Sequence, residues 1–189
     1  MPAPEITLEL LARPEAARDA AELQALAAEV YAAPPYSRDE QDAGGFGRRL
    51  AVRRRQPGFA LAEARHGEYL VGFALGMPLR PSTSWWRDLT TPLPEEVTAE
   101  RPGRTFALAE LVVRAAWRRQ GIGQDLHDLI LSGRREERAT ATVLPAAAAA
   151  QRAARDWGWH KVARTQDPDL LPSGPGPGAS GSEAPAGHG

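Results

Sequence analysis

The stretch Thr105-Phe106-Ala107-Leu108-Ala109-Glu110-Leu111-Val112-Val113, followed shortly by Arg118-Arg119-Gln120-Gly121-Ile122-Gly123, decides how this chain is read. The first part is the most apolar run in the sequence. Alternation puts Phe106, Leu108, Glu110 and Val112 on one face of a strand. The second part is a glycine loop that opens a helix over Gly121 to Ser132. Such a loop favours a polyanion. Glycine lets the backbone come close, successive N–H groups form a concave donor nest, and the helix adds its positive end. Arg118 and Arg119 can add charge-assisted bonds to phosphate. A Walker loop would need Gly-Lys-Ser/Thr at its end, which is missing. A dinucleotide fingerprint would need a third glycine where Leu126 stands. A plain strand-to-helix turn with solvated arginines stays open on these residues alone.

Outward from this centre the chain alternates strands and helices. Ile6 to Leu11 reads as a first strand. Pro14 suits a helix start, and Ala16, Ala20, Leu23, Ala27 and Val30 give that helix one apolar face. Pro34 and Pro35 end it. Ser37 and Glu40 have capping-box spacing. A second helical region follows, expected to break at Gly44 and Gly45, and rich in arginine up to Arg55. Phe59 to Ala64 and Glu68 to Leu79 read as a hairpin turning at His66-Gly67. Arg80 to Arg104 has no clear period. Arg138 to Leu144 reads as a strand, Pro145 to Trp157 as a helix, and Trp159 to Thr165 as a last strand. The order predicts an α/β sheet of mixed direction with helices on both faces.

Bulk properties narrow the function. The 189 residues suit one domain with a real core. A net charge of -1 gives no bulk field for phosphate backbones, so nucleic acid is not an expected partner. The absence of cysteine excludes disulfides, thiolate zinc sites and a cysteine nucleophile. His66, His127, His160 and His188 lack metal-ligand spacing, so no metal is expected. Glu5 and Glu9 interrupt any signal-peptide core, and no run approaches the ~20 apolar residues that span a bilayer. A cytoplasmic protein without a membrane partner is expected. From Asp167 onward Pro, Gly, Ser and Ala dominate. The chain therefore divides into a domain over 1–166 and a tail over 167–189 expected to be disordered.

The central segment resembles the GNAT N-acetyltransferase superfamily. Its motif is a Glu-containing strand, a short arm, then Arg/Gln-x-x-Gly-x-Gly/Ala opening a helix. Glu110 to Val113 followed by Ala116-Trp117-Arg118-Arg119-Gln120-Gly121-Ile122-Gly123 is similar to it throughout. Glu68 to Phe73 resembles the family's third strand, and Trp157-Gly158-Trp159 its Gly-aromatic turn. The resemblance implies a mixed, mostly antiparallel central sheet flanked by helices on both faces, and acetyl-CoA as co-substrate. Arg118 would lie beside its pyrophosphate and the N–H groups of Arg119, Gln120, Gly121, Ile122 and Gly123 would hold it. Its pantetheine arm would pair with Leu111, Val112 and Val113, in a slot made by a bulge-driven splay of the strands Thr105–Val113 and Arg138–Leu144. A main-chain N–H near Val113 would polarise the thioester carbonyl.

The acceptor is expected to be a small-molecule or protein amine. Glu110, alone among apolar neighbours, is the candidate general base. A solvent-facing or ion-paired strand glutamate is the bland alternative. The family often carries a Tyr acid where Ala154 stands here, so no acid is assigned. Tyr36 lies where the family often touches acceptor. Trp85 and Trp86 either wall the acceptor site or pack their loop onto the core. Arg48, Arg49, Arg53, Arg54 and Arg55 read best as a solvated helix face. The family's seventh strand has no evident counterpart beside Pro168 and Pro172, which would leave a sheet edge bare or shared in a homodimer. An acyl-CoA sensor or inactive relative is the alternative to an enzyme.

Overall fold

The computed structural model describes residues 5–11, 20–36, 40–166 and 182–187. The Ser37 end of the expected capping box and the start of the first helix lie outside them. The chain divides into two compact units. The first comprises Met1–Ala32, Asp39–Met77 and Ala109–Arg134; the second comprises Ala33–Arg38, Pro78–Leu108 and Arg135–Gly189.

In the first unit, β1 (Ile6–Leu11) pairs antiparallel with β2 (Ala60–His66), and β2 with β3 (Tyr69–Pro78). Gly67 makes the tight hairpin turn at φ 60°. β3 is buried from Leu70 to Met77, which explains its nearly unbroken apolar run. Beside it lies β4 (Thr105–Val113), whose second half belongs to this unit. Two helices, α1 (Ala20–Ala32) and α2 (Glu40–Arg53), pack on each other. α1 buries Leu23, Leu26, Ala27, Val30 and Tyr31 along one face.

The expected break at Gly44 and Gly45 does not occur, because α2 runs through both. Burial decides this. Phe46 and Leu50, one turn apart, are 2% and 3% exposed, and Phe46 packs on Phe73 with ring centres 5.9 Å apart. Two such side chains contribute roughly 3–6 kcal/mol, against about 1 kcal/mol for each helical glycine. Gly47 also has a packing reason. A Cβ there would lie 2.7 Å from Gln24 Oε1 on α1.

In the second unit, the first half of β4 pairs parallel with β5 (Arg138–Ala141), from Thr105↔Arg138 to Leu108↔Ala141. The other pairs described are antiparallel. β6 (His160–Thr165) pairs with β7 (Ser182–Gly187), and β7 pairs with β5. The strand order is therefore β1-β2-β3-β4 in the first unit and β4-β5-β7-β6 in the second. The expectation of a missing seventh strand is corrected here. Ser182–Gly187 lies inside the tail expected to lack structure, yet it supplies that strand. Backbone pairing on both sides, not side-chain propensity, is what a Ser-Glu-Ala-Pro-Ala-Gly strand has to work with. The far side of β6 is also partly covered. Thr90 N–H bonds Arg164 O at 2.8 Å and Gln166 N–H bonds Asp88 O at 2.9 Å.

The long segment before β4 contains the one-turn helix α3 (Glu95–Thr98) and is pinned by a buried carboxylate. Glu100 Oε1 accepts from Trp86 Nε1 at 2.8 Å, from Thr105 Oγ1 at 2.9 Å and from Arg138 Nη2 at 2.8 Å. Trp85 is 4% exposed and donates to Thr140 Oγ1 at 3.2 Å. The tryptophans are thus anchors that fasten this segment to β4 and β5. Remaining helices are α4 (Ile122–Leu131) in the first unit and α5 (Ala148–Asp156) in the second. Among the described residues, no helix is long and apolar enough to cross a membrane.

Candidate active site

The loop between β4 and α4 turns through two residues of positive φ before the helix begins. Arg119 and Gly121 take positive φ of 62° and 85°, and the helix starts at Ile122. Among the described residues, the main-chain N–H groups of Arg119, Gln120, Gly121, Ile122, Gly123 and Gln124 bond no acceptor; the first paired amide of the helix is Asp125, on Gly121 O at 3.0 Å. Arg118, Arg119, Gln120 and Gly121 are exposed. An open row of donors at the positive end of a helix is a seat for an anion. Side chains tie the loop down at its edges. Arg118 Nε donates to Val113 O at 2.9 Å, and Gln120 Nε2 to Ala116 O at 3.3 Å. Behind it, Arg114 anchors β4 to β3 and α1. Its N–H bonds Val71 O at 2.9 Å, its Nε bonds Leu70 O at 2.8 Å, its Nη1 pairs with Glu29, and its guanidinium stacks over Tyr69.

β4 changes its hydrogen-bonding phase before it reaches the loop. Near its start, Arg104 O faces β5 and accepts from Arg138 N–H, while Thr105 O faces β3 and accepts from Leu79 N–H. Near its end, Arg114 N–H faces β3, and Val112 O lies 3.0 Å from where a Gly72 Cβ would be. Odd residues face β3 at one end and even residues at the other. A strand cannot do this without one extra residue, which is a β-bulge. Leu111 and Val113 therefore turn their main-chain groups away from β3, beyond the last β5 partner of the ladder at Leu108.

Glu110 is not the isolated carboxyl that the sequence suggested. Its Oε2 accepts a hydrogen bond from the Tyr31 hydroxyl, and its Oε1 pairs with Arg53 Nη1 at 2.9 Å. Both charged side chains are close to nine-tenths buried, Arg53 at 11% and Glu110 at 9% exposure. The argument from an unpartnered, desolvated carboxyl thus loses its premise; what remains is a held carboxylate. Sequence reasoning missed both partners. Tyr31 sits one turn beyond Ala27 on the apolar face of α1, a phenol where the pattern asks for an aliphatic side chain. Arg53 was hidden in a basic cluster whose other members looked solvated, and it leaves that face to enter the site.

Tyr36 is half-buried in the turn after α1, where its N–H bonds Ala33 O at 3.1 Å; with Trp85 and Trp86 it belongs to the second unit. Ala154 is on α5 in the same unit. His127 is buried and its Nδ1 lies 2.8 Å from Asp128 Oδ1. Among the described residues no group of three or more His, Asp or Glu is placed to hold a metal. A part-buried ion cluster joins β2 to α1. Arg65 joins Glu63 and Glu22 at 2.8 Å each. Burial acts to lower the Arg65 pKa, but hydrogen bonds and charge from the two carboxylates win and raise it above its ordinary value.

A strand that runs into an open amide loop at a helix start is suited to an anion, and comparison with known proteins gives the family. The sequence matches the Acetyltransferase (GNAT) family over residues 19–159, and the chain belongs to that family. No curated protein matches by sequence. Solved structures share the fold at low identity. Arabidopsis thaliana NAA60 in complex with acetyl-CoA has a TM-score of 0.63 at 14% identity, covering 96% of this chain and 97% of its own. A GNAT-family acetyltransferase from Staphylococcus aureus has a TM-score of 0.63 at 14% identity, covering 96% and 98%. An acetyltransferase from Thermus thermophilus has a TM-score of 0.59 at 14% identity, covering 98% of both chains.

Proposed function

We propose that the protein is an N-acetyltransferase that moves an acetyl group from acetyl-CoA to a primary amine by direct attack. The observation that carries this is the row of unbonded N–H groups from Arg119 to Gln124 at the start of α4. A pyrophosphate needs several convergent donors and tolerates no competing internal bonds, and this loop offers that. Family membership and the acetyl-CoA bound by the NAA60 neighbour support the choice of anion. Arg118 and Arg119 add charge beside it. Leu111 and Val113 offer main-chain groups for the pantetheine arm along the edge of β4, with Val112 holding the strand between them.

Glu110 acts as general base. Its carboxylate takes the proton from the attacking amine, directly or through water, while the amine nitrogen bonds the acetyl carbon and the carbon–sulfur bond breaks. The amide N–H near Val113 stabilises negative charge on the carbonyl oxygen. The leaving thiolate takes its proton from water or the acceptor, since Ala154 has none to give. No cysteine is available to carry the acetyl group covalently, which favours a ternary complex. The acceptor is a small-molecule or protein amine.

One specific observation favours a second reading. Glu110 is already ion-paired with Arg53, and together with Ala154 this suits a relative that binds acyl-CoA without turning it over. Calorimetry with acetyl-CoA tests the loop first, and no heat at millimolar cofactor removes both readings. Thiol release across an amine panel then separates enzyme from sensor. Glu110→Gln is expected to lower kcat by about 10²-fold or more while the KM for acetyl-CoA stays within a few-fold. Unchanged kcat removes Glu110 from the mechanism.

A further inference from the structure

We propose that Tyr31 and Arg53 are positioning residues that hold the Glu110 carboxylate in its working orientation, one hydrogen bond on each oxygen. The inference rests on Glu110 being the base proposed above.

The three side chains come from three elements. Tyr31 stands at the end of α1, Arg53 ends α2, and Glu110 lies in β4; they are 79 and 57 residues from the glutamate in sequence. Nothing local forces them together, so the packing of both helices is spent on this meeting. Stability is a poor reason for it. Bringing a carboxylate and a guanidinium out of water costs about as much as their attraction returns, and apolar groups of similar size would pack as well. A strand glutamate that served only solubility would face water, whereas Glu110 is 9% exposed.

The bonding leaves room for chemistry. A carboxylate has about four lone-pair directions. Tyr31 uses one on Oε2 and Arg53 one on Oε1, so each oxygen keeps a second direction for a water or an amine N–H. Two donors, one on each oxygen and from two different helices, together restrain rotation about the last side-chain bond. A base held this way presents the same lone pairs at every encounter, and a misplacement of ~1 Å can cost on the order of 10²-fold in rate.

Steady-state kinetics on an amine panel tests this with Arg53→Met, Arg53→Lys and Tyr31→Phe, each alone and on a Glu110→Gln background. Arg53→Met is expected to lower kcat by about 10-fold or more with the KM for acetyl-CoA within ~2-fold, Arg53→Lys to recover part of the loss, and Tyr31→Phe to lower kcat by a smaller factor. On the Glu110→Gln background both effects should vanish, because the oriented group is gone. Thermal melts separate unfolding from these effects, and the Lys and Phe variants keep the proposal testable if Arg53→Met does not fold. Wild-type or raised kcat in Arg53→Met and Tyr31→Phe overturns the proposal while leaving Glu110 as base. Losses of undiminished size on the Gln background do the same. If Glu110→Gln alone retains full kcat, the base assignment fails and this inference with it.

Discussion

Gly72 sits where β3, β4 and α4 come closest, and Gly72→Ala should damage stability and cofactor binding together. A Cβ at this position would lie 3.0 Å from Val112 O, 3.2 Å from Leu126 Cδ1 and 3.2 Å from Val113 Cγ2. Ordinary contact begins near 3.4 Å, so β4 must retreat by a few tenths of an ångström. The tightest of these neighbours is a backbone carbonyl, which cannot swing aside as a long side chain can. Overpacking of this kind costs about 1–3 kcal/mol. Losing glycine's freedom in the unfolded chain returns roughly 0.4–1 kcal/mol. The net loss is about 0–2.6 kcal/mol, or roughly 0–10 °C in Tm for a chain of this size. Because the atoms displaced belong to Val112 and Val113, the KM for acetyl-CoA should rise as well. Gly67→Ala is the control. Its φ of 60° penalises any side chain, but nothing lies within 4 Å of the added carbon. It should lower Tm and leave the KM alone. Calorimetric melts and initial rates on both variants decide the matter. A Gly72→Ala protein that melts above the wild-type temperature, or one whose KM matches the control's, refutes the reasoning.

Two further outcomes follow from the same geometry. Gly121 holds φ at 85°, a conformation that costs an alanine about 1–2 kcal/mol, so Gly121→Ala should weaken acetyl-CoA binding in titration calorimetry by roughly 5- to 30-fold; unaltered affinity would mean the loop's amides do not seat the pyrophosphate. Glu100→Leu strands Arg138 at 17% exposure and should lower unfolding free energy in urea by about 3 kcal/mol or more, with a loss below about 1 kcal/mol counting against Glu100 as the anchor of its segment.

How much the sequence disclosed depended on range. The glycine loop and the His66-Gly67 hairpin are carried by residues within a few positions of one another, so pattern alone finds them. The route of α2 through Gly44 and Gly45 is not local, because Phe46 and Leu50 secure it only once β3 is there to receive them. The partners of Glu110 were illegible for the same reason. A tyrosine on an apolar helix face and one arginine among five carry no mark that they meet the same carboxylate. Trp85 and Trp86 offered two readings to the sequence, and only their indole bonds to Thr140 and Glu100 show them as anchors. The bulge in β4 was expected from the family resemblance alone, since composition does not mark the extra residue.

The placement of β7 between β5 and β6 has a consequence for how the chain is made. Synthesis delivers β5 and then β6 before the strand that joins them, so until it arrives each has an unmet edge. During that interval both edges are templates for any extended segment nearby, including one on a neighbouring nascent chain. The outer pairing of this half, Ala139 with Gly187, closes only once that strand has arrived.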